Sequence, residues 1–181
     1  SALWRSRTLG ERAHGVRWPQ RWCNVAVSLA ARRTVRHRRF LLKGDAMPAI
    51  EQTFIMIKPD AVRDRKTGQI IDRIERSGLT IEKMEKCVLD EETVKVHYDH
   101  LADKPFFPSL VAFMTSGPVV KMVVSGLSAV SKMRTLMGAT NPLDAAPGTI
   151  RGDFAVDVNA NVIHGSDSLE NAAIEIERFF G

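Results

Sequence analysis

The sequence predicts an α+β domain, and three observations carry the prediction. Residues 53–57 (Thr-Phe-Ile-Met-Ile) and 119–124 (Val-Val-Lys-Met-Val-Val) are short, strongly apolar runs bounded by turn residues, the mark of strands buried in a sheet. Elsewhere apolar residues recur every three or four positions with charges between them, the mark of amphipathic helices. The two kinds of segment alternate along 181 residues, enough for one ordinary domain with a real core and something extra.

In chain order, residues 53–57 are apolar on both alternating sets, so this strand is expected at the centre of a sheet covered on both faces; Pro59 ends it. Residues 68–77 put Ile70, Ile71 and Ile74 on one side of a helix and Asp72, Arg73, Glu75 and Arg76 elsewhere, and Gly78 terminates it. From 79 to 89, Leu79, Ile81, Met84 and Val88 alternate with charges apart from one imperfection, which predicts a strand. Asp90 is placed to cap a helix running through His97 and Tyr98.

Lys104-Pro105-Phe106-Phe107-Pro108 breaks the chain before a helix at 109–115, and Ser116-Gly117-Pro118 turns it into the strand at 119–124. Gly126 starts the next connection, and Leu127, Val130, Met133 and Met137 form a helical stripe whose methionines read as core packing. Residues 138–152 are rich in Gly, Pro, Asn and Asp and predict a long ordered loop, which in a small domain is usually functional. Val162 and Ile163 close a buried strand, and Asp167, with Glu170 three residues on, opens a last helix burying Leu169, Ala172, Ala173, Ile176 and Phe180. This order fits a βαββαβ ferredoxin-like antiparallel sheet with helices on one face.

The net charge of +5 is unevenly placed. Residues 1–46 hold 11 of the 26 Lys and Arg and two of the 21 acidic residues, Glu11 and Asp45, which leaves residues 47–181 with 15 basic and 19 acidic. The same leader holds Trp4, Trp18 and Trp22 and Arg clusters with no sustained period, so disorder is expected there. It reads in three ways: non-native upstream sequence, an organellar transit peptide, or a nucleic-acid-binding arm. Met47-Pro48 opens the domain at 47–181 as a native start would, so a cytoplasmic location is expected, with mitochondrion or plastid the alternative if the leader is a genuine transit peptide. The acidic balance of the domain argues against a nucleic-acid partner. Cys23 and Cys87 fall on opposite sides of the boundary and imply no disulfide framework, and no apolar run approaches the roughly 20 residues of a membrane span.

The stretch Asn161-Val162-Ile163-His164-Gly165-Ser166-Asp167-Ser168 carries the chemistry. His164 falls where a buried strand hands over to a helix start; N–H groups and the helix dipole attract an anion there, and Gly165 lets a bulky group approach the backbone. An imidazole so placed is either a satisfied core histidine or a nucleophile toward phosphate. Arg134, Thr140 and Arg151 bracket the long loop and offer two guanidinium forks and a hydroxyl for phosphates. Lys58 at a strand terminus either points its ammonium into a cleft or lies in solvent. Glu175, at the margin of the last apolar stripe, is either a solvated helix charge or a carboxylate reaching back toward the strand end.

Four segments occur in order: Lys58-Pro59-Asp60-Ala61-Val62, Lys104-Pro105-Phe106-Phe107, Met137-Gly138-Ala139-Thr140-Asn141-Pro142 and Asn161-x-x-His164-Gly165-Ser166-Asp167-Ser168. Together they resemble the nucleoside diphosphate kinase family, from about residue 53 to 180. The resemblance implies the ferredoxin-like sheet with extra helices inserted. It also implies a phosphotransferase that passes the γ-phosphate of a nucleoside triphosphate, typically ATP, to a nucleoside diphosphate with ping-pong kinetics and broad base and sugar tolerance. By the same resemblance His164 becomes phosphorylated, Arg134, Thr140 and Arg151 hold phosphates, Lys58 and Asn161 meet the sugar and phosphate end, and Phe106 stacks on the base. Tyr98 is implied beside the reacting histidine, with Ser166 and Glu175 positioning it. Mg²⁺ is implied on the nucleotide phosphates, with Asp167 the protein carboxylate placed to approach it. The partners implied are nucleoside di- and triphosphates and further copies of the chain in a tetramer or hexamer. Ala61 and Ala139 stand where many members have Gly and Glu, at positions without a catalytic group.

Overall fold

The computed structural model describes residues 50–181, so the expectations about the leader and its boundary lie outside the described residues. Strand β1 (Ile50–Ile57) is the axis of a four-stranded sheet. It pairs antiparallel with β3 (Val119–Leu127) on one side and with the three-residue β4 (Ile163–Gly165) on the other, and β2 (Thr80–Cys87) pairs with the far side of β3. The order β2-β3-β1-β4 is that of the ferredoxin-like unit, as expected. The imperfection in the alternation of β2 is real: its register slips between Ile81 and Lys83, leaving Glu82 as the extra residue of a bulge.

The helices do not keep to one face, which corrects the expectation drawn from element order. Successive residues of a strand point to opposite sides. Ile55 and Ile57 accordingly join a core with Ile70 and Ile74 of α2 (Thr67–Arg76), Met133 and Met137 of α5 (Ala129–Met137), and Ile150 of the short α6 (Ile150–Phe154). Phe54 and Met56 join a second core with Val94 of α3 (Glu91–His97), Val111 and Met114 of α4 (Phe107–Met114), and Phe179 of α7 (Leu169–Phe180). The two-sided hydrophobicity of β1 required this, because an apolar set facing water would forfeit its burial.

Local chemistry sets the ends of these elements. Asp90 caps α3 by accepting from the Thr93 N–H at 2.7 Å, as its position predicted. Pro59 both ends β1 and occupies the first position of a five-residue helix, α1 (Pro59–Arg63), where its missing N–H costs nothing. Leu127 closes β3, 52% exposed, instead of contributing to the stripe of α5, while Met133 and Met137 are fully buried. The long loop after α5 is not without elements: a 3₁₀ turn forms at Pro142–Asp144, and α6 begins behind Thr149, whose hydroxyl accepts from the Gly152 N–H.

The cap of α7 is Ser168, not Asp167; its hydroxyl accepts from the Asn171 N–H at 3.1 Å, and Asp167 instead takes the Asn171 side-chain amide. The buried line of that helix is Ala172, Glu175 and Phe179, with Ile176 and Phe180 partly covered and Leu169 and Ala173 facing out. Val162 enters β4 with φ of +63°, in the left-handed region that a β-branched residue occupies at a cost on the order of 1–3 kcal/mol.

Candidate active site

His164 lies within β4, directly across from Met56 of β1, and therefore on the face of Phe54 and Met56. The expectation that it marks a handover to a helix is shifted accordingly: four residues separate it from the first residue of α7. Gly165 has a different job from the one expected. A Cβ there would lie 2.8 Å from the Met137 methyl and 2.9 Å from Ile55 Cδ1, so its missing side chain makes room for the aliphatic core behind β4.

His164 is half-buried, its side chain 22% exposed, at the wall of a cavity of about 540 Å³. That cavity is also lined by Lys58, Tyr98, Arg134, Thr140, Arg151, Asn161, Asp167 and Glu175, so nine of the eleven candidate residues converge. The other two stand apart. Ser166 is buried behind the wall, where its hydroxyl donates to Glu175 Oε2 and its amide donates to the Phe54 carbonyl. Phe106 is 47% exposed at the N-cap of α4 and does not line the cavity.

Glu175 settles the tautomer of the histidine. Its Oε1 lies 3.0 Å from His164 Nε2, and an ionised carboxylate only accepts, so Nε2 carries the proton and Nδ1 keeps its lone pair. Burial pushes the Glu175 carboxyl up, but hydrogen bonds from His164 and Ser166 and the nearby imidazoles outweigh it, leaving the group below its usual range and ionised. Lys58, at the end of β1, donates to Asn161 Oδ1 at 2.6 Å, and Asn161 in turn donates to the Thr140 carbonyl at 3.3 Å. Burial and the Arg151 charge lower the Lys58 ammonium to about 8.

Arg151 is buried and holds the cavity wall as well as its charge. It donates to the Gly138 carbonyl at 2.9 Å, where α5 ends, and to the Ile163 carbonyl of β4 at 2.8 Å. Burial and the neighbouring Arg134 bring it down to about 10. Two guanidinium groups and an ammonium on one concave wall repel each other, and Lys58 and Arg151 are also buried and poorly hydrated, so the cavity favours a polyanion. Tyr98 Oη, pushed up by burial, and Arg151 Nε are buried polar atoms with no partner among the described residues.

Residues not singled out from the sequence complete the network. His97, next to Tyr98, packs edge-on against His164 with ring centroids 4.7 Å apart, and the Arg178 guanidinium donates to its Nδ1 at 3.3 Å. His97, His164 and Glu175 each bring a possible metal ligand atom within 4.8 Å of the others. Within the trio only His164 and Glu175 are hydrogen-bonded; His97 is held by ring packing on His164 and by the Arg178 guanidinium. No other carboxylate cage for a metal is found among the described residues. Asp60, quoted in a motif without a role, is buried and accepts from the Val162 N–H at 3.1 Å.

A ferredoxin-like sheet that presents a tautomer-fixed imidazole at the wall of a cavity lined by Lys58, Arg134 and Arg151 is suited to phosphoryl chemistry on an anionic substrate. The family model for nucleoside diphosphate kinase matches residues 51–181. The chain belongs to that family. It is 57% identical over 136 residues to the nucleoside diphosphate kinase of Streptococcus thermophilus, covering 73% of this chain and 99% of that relative. Identity to the nucleoside diphosphate kinase of Thermobifida fusca is 56% over 131 residues, covering 72% and 97%. Among solved structures, the nucleoside diphosphate kinase of Encephalitozoon cuniculi superposes with a TM-score of 0.71 at 47% identity, covering 72% of this chain and 89% of that one. That of Aquifex aeolicus does so with 0.71 at 38% identity, covering 74% and 96%. No described helix is long and apolar enough to cross a membrane.

Proposed function

We propose that the chain transfers the γ-phosphate of a nucleoside triphosphate to a nucleoside diphosphate in two half-reactions, with His164 phosphorylated between them. The observation that carries this reading is the Glu175 bond to His164 Nε2, which leaves the Nδ1 lone pair free on a residue that lines the cavity. In the first half-reaction the Nδ1 lone pair forms a bond to the γ-phosphorus while the bond to the bridging oxygen breaks, and the diphosphate leaves with that electron pair. In the second, a terminal phosphate oxygen of a different diphosphate attacks the phosphorus and the P–N bond breaks, returning the imidazole.

Glu175 stabilises the positive charge that the ring gains on phosphorylation, and Ser166 holds Glu175 in place. Arg134, Arg151 and Lys58 neutralise the transferring phosphoryl group and its neighbours, with Thr140 and Tyr98 offering hydroxyls. Asn161 orients Lys58 and is available to the sugar end. Phe106, exposed, is the platform for the base; stacking is indifferent to base identity, which supports broad base tolerance.

The donor set fits a divalent cation carried in on the nucleotide and not a resident one. Glu175 is committed to His164 and Ser166, and Asp167 at the cavity wall, one oxygen of which accepts from the Asn171 amide, is the carboxylate whose other oxygen would approach Mg²⁺. Bound there, Mg²⁺ supplies charge neutralisation across the phosphates. We further place the chain in a homo-oligomer, a tetramer or hexamer. Met84 and Val88, exposed at and beside the free edge strand β2, support a contact surface there.

Incubation with γ-labelled ATP is expected to give an acid-labile phosphoenzyme that GDP or CDP discharges and that His164→Ala does not form. Label that survives in the variant, or that no diphosphate discharges, would overturn the mechanism.

A further inference from the structure

Val162 is held in a conformation that its own side chain opposes. It is β-branched and buried, its φ is +63°, and the Ile163 N–H reaches back to the Asn161 carbonyl at 2.8 Å, closing a three-residue turn. The turn separates two residues of the site by the shortest possible path: Asn161, which grips Lys58, lies on one side, and His164 lies two residues beyond Val162 on the other. A relaxed Val162 would rotate one relative to the other.

Both backbone polar groups of Val162 are gripped from a single turn of chain. The Lys58 N–H donates to its carbonyl at 2.9 Å, and Asp60 Oδ2 accepts its N–H at 3.1 Å. Asp60 is 3% exposed and sits in α1, whose N-cap is Lys58, so the two grips are rigidly related. We propose that Asp60 is a positioning residue of the phosphotransfer site, whose carboxylate clamps the strained turn at Val162 and so sets the angle between the Lys58–Asn161 pair and His164. This rests on the proposed function above.

The rival role for the same carboxylate is purely electrostatic, since its charge also favours the Lys58 ammonium. Asparagine separates the two: it keeps an oxygen to accept the Val162 N–H and loses the charge. Glycine at 162 separates them again, because it occupies the left-handed region without strain and needs no clamp.

The full chain and its Asp60→Ala, Asp60→Asn, Val162→Gly and Asp60→Ala/Val162→Gly variants are compared for the single-turnover rate of phosphoenzyme formation, nucleotide KM, and amide hydrogen exchange at residue 162. Asp60→Ala is expected to slow phosphoenzyme formation on the order of 100-fold, the effect of a displaced reacting group, with KM little changed and rapid exchange at the Val162 amide. Asp60→Asn is expected to stay within a few-fold of the wild type with slow exchange. In the Val162→Gly background the further loss from Asp60→Ala is expected to shrink markedly. Asp60→Asn as slow as Asp60→Ala, an undiminished loss in the glycine background, or Asp60→Ala at the wild-type rate would each overturn the clamp. If Asp60→Ala does not fold, the rate and amide exchange of Asp60→Asn decide the matter. A wild-type chain that forms no phosphoenzyme overturns the proposed function instead, and exchange at residue 162 still tests the clamp.

Discussion

The two faces of one strand do different work. Behind β1, Ile55 and Ile57 belong to a core of mainly aliphatic and thioether side chains, among them Ile70, Ile74, Met133 and Met137, with Phe154 packed against its margin. In front, Phe54 stacks on Phe179 at 4.6 Å and lies 6.1 Å from the His164 ring, with His97 wedged alongside. The front face runs without a break from apolar packing into a hydrogen-bonded imidazole, carboxylate and hydroxyl network. The β4 pairs make the division explicit, with Ile57 opposite Ile163 at the rear and Met56 opposite His164 in front. A rear face of this kind can be closely packed because nothing has to enter it; the front face must keep one ring half-open while fixing its orientation. Substitutions behind the sheet should therefore register in stability, and substitutions in front in rate.

The largest effect expected from breaking this division is at Glu175. Glutamine there keeps the size of the side chain and the Ser166 contact, but it can offer His164 an N–H where the carboxylate offered only oxygen. The ring then protonates at Nδ1 as readily as at Nε2, and the charge developing on phosphorylation loses its partner. Glu175→Gln is expected to lower the rate of phosphoenzyme formation by about 10²–10⁴-fold, the range for loss of a positioned acid–base group, with the melting temperature nearly unchanged. A rate within a few-fold of the wild type would mean that the histidine is oriented by its packing alone.

The converse test lies at Met137, which is fully buried and fills the space over Gly165. Met137→Ala removes core contacts behind the sheet and is expected to cost about 2–5 kcal/mol of stability in denaturant unfolding. The turnover of the fraction that remains folded should barely move. A large fall in turnover at full occupancy of the folded state would show that the rear face feeds into the site through Gly165, and the two faces would no longer be separable.

Much of this division was readable in advance, and the exceptions have physical causes. The double apolar set of β1, the stripe of Ile70 and Ile74, and the Asp90 cap are all local signals, and each appears where periodicity and cap chemistry put it. Element order does not say on which side of a sheet a crossover lands, whereas the two apolar sets of β1 require helices on both faces. In α7 the apolar repeat pointed to Leu169 and Ala173, yet the helix turns Glu175 inward; the pull of His164 and Ser166 outweighs the hydrophobic stripe there. Helices α1 and α6 are five residues each, too short to show a period, and their signals were single residues: Pro59 at a first helical position and Thr149 as a cap. Lys58, Arg134, Thr140, Arg151 and Asn161, distant in sequence, line one cavity. His97 went unnoticed because a neutral buried imidazole leaves no local trace; only its contacts with His164 and Arg178 reveal it.

That buried imidazole gives the smallest effect expected, and one that sharpens the contrast between the faces. His97 has a side chain 3% exposed, and burial, the neighbouring His164 and the Arg178 cation depress it to about 3 from its ordinary 6.5, against the opposing pull of Glu175. The folded protein therefore binds fewer protons here than the unfolded chain between those two values, and stability must rise with pH across that window. The contribution is complete above about 6.5 and is lost progressively as the pH falls toward 3. Between about pH 5.5 and 6.5 the carboxylates, Glu175 included, are almost wholly ionised in both states, so the slope there reports mainly on histidine. Urea midpoints measured across that interval should fall on acidification in the wild type and fall less in His97→Gln, whose amide oxygen can still accept from Arg178. Parallel slopes in the two proteins would show that His97 picks up its proton without cost, and that the front face is wetter than its packing indicates.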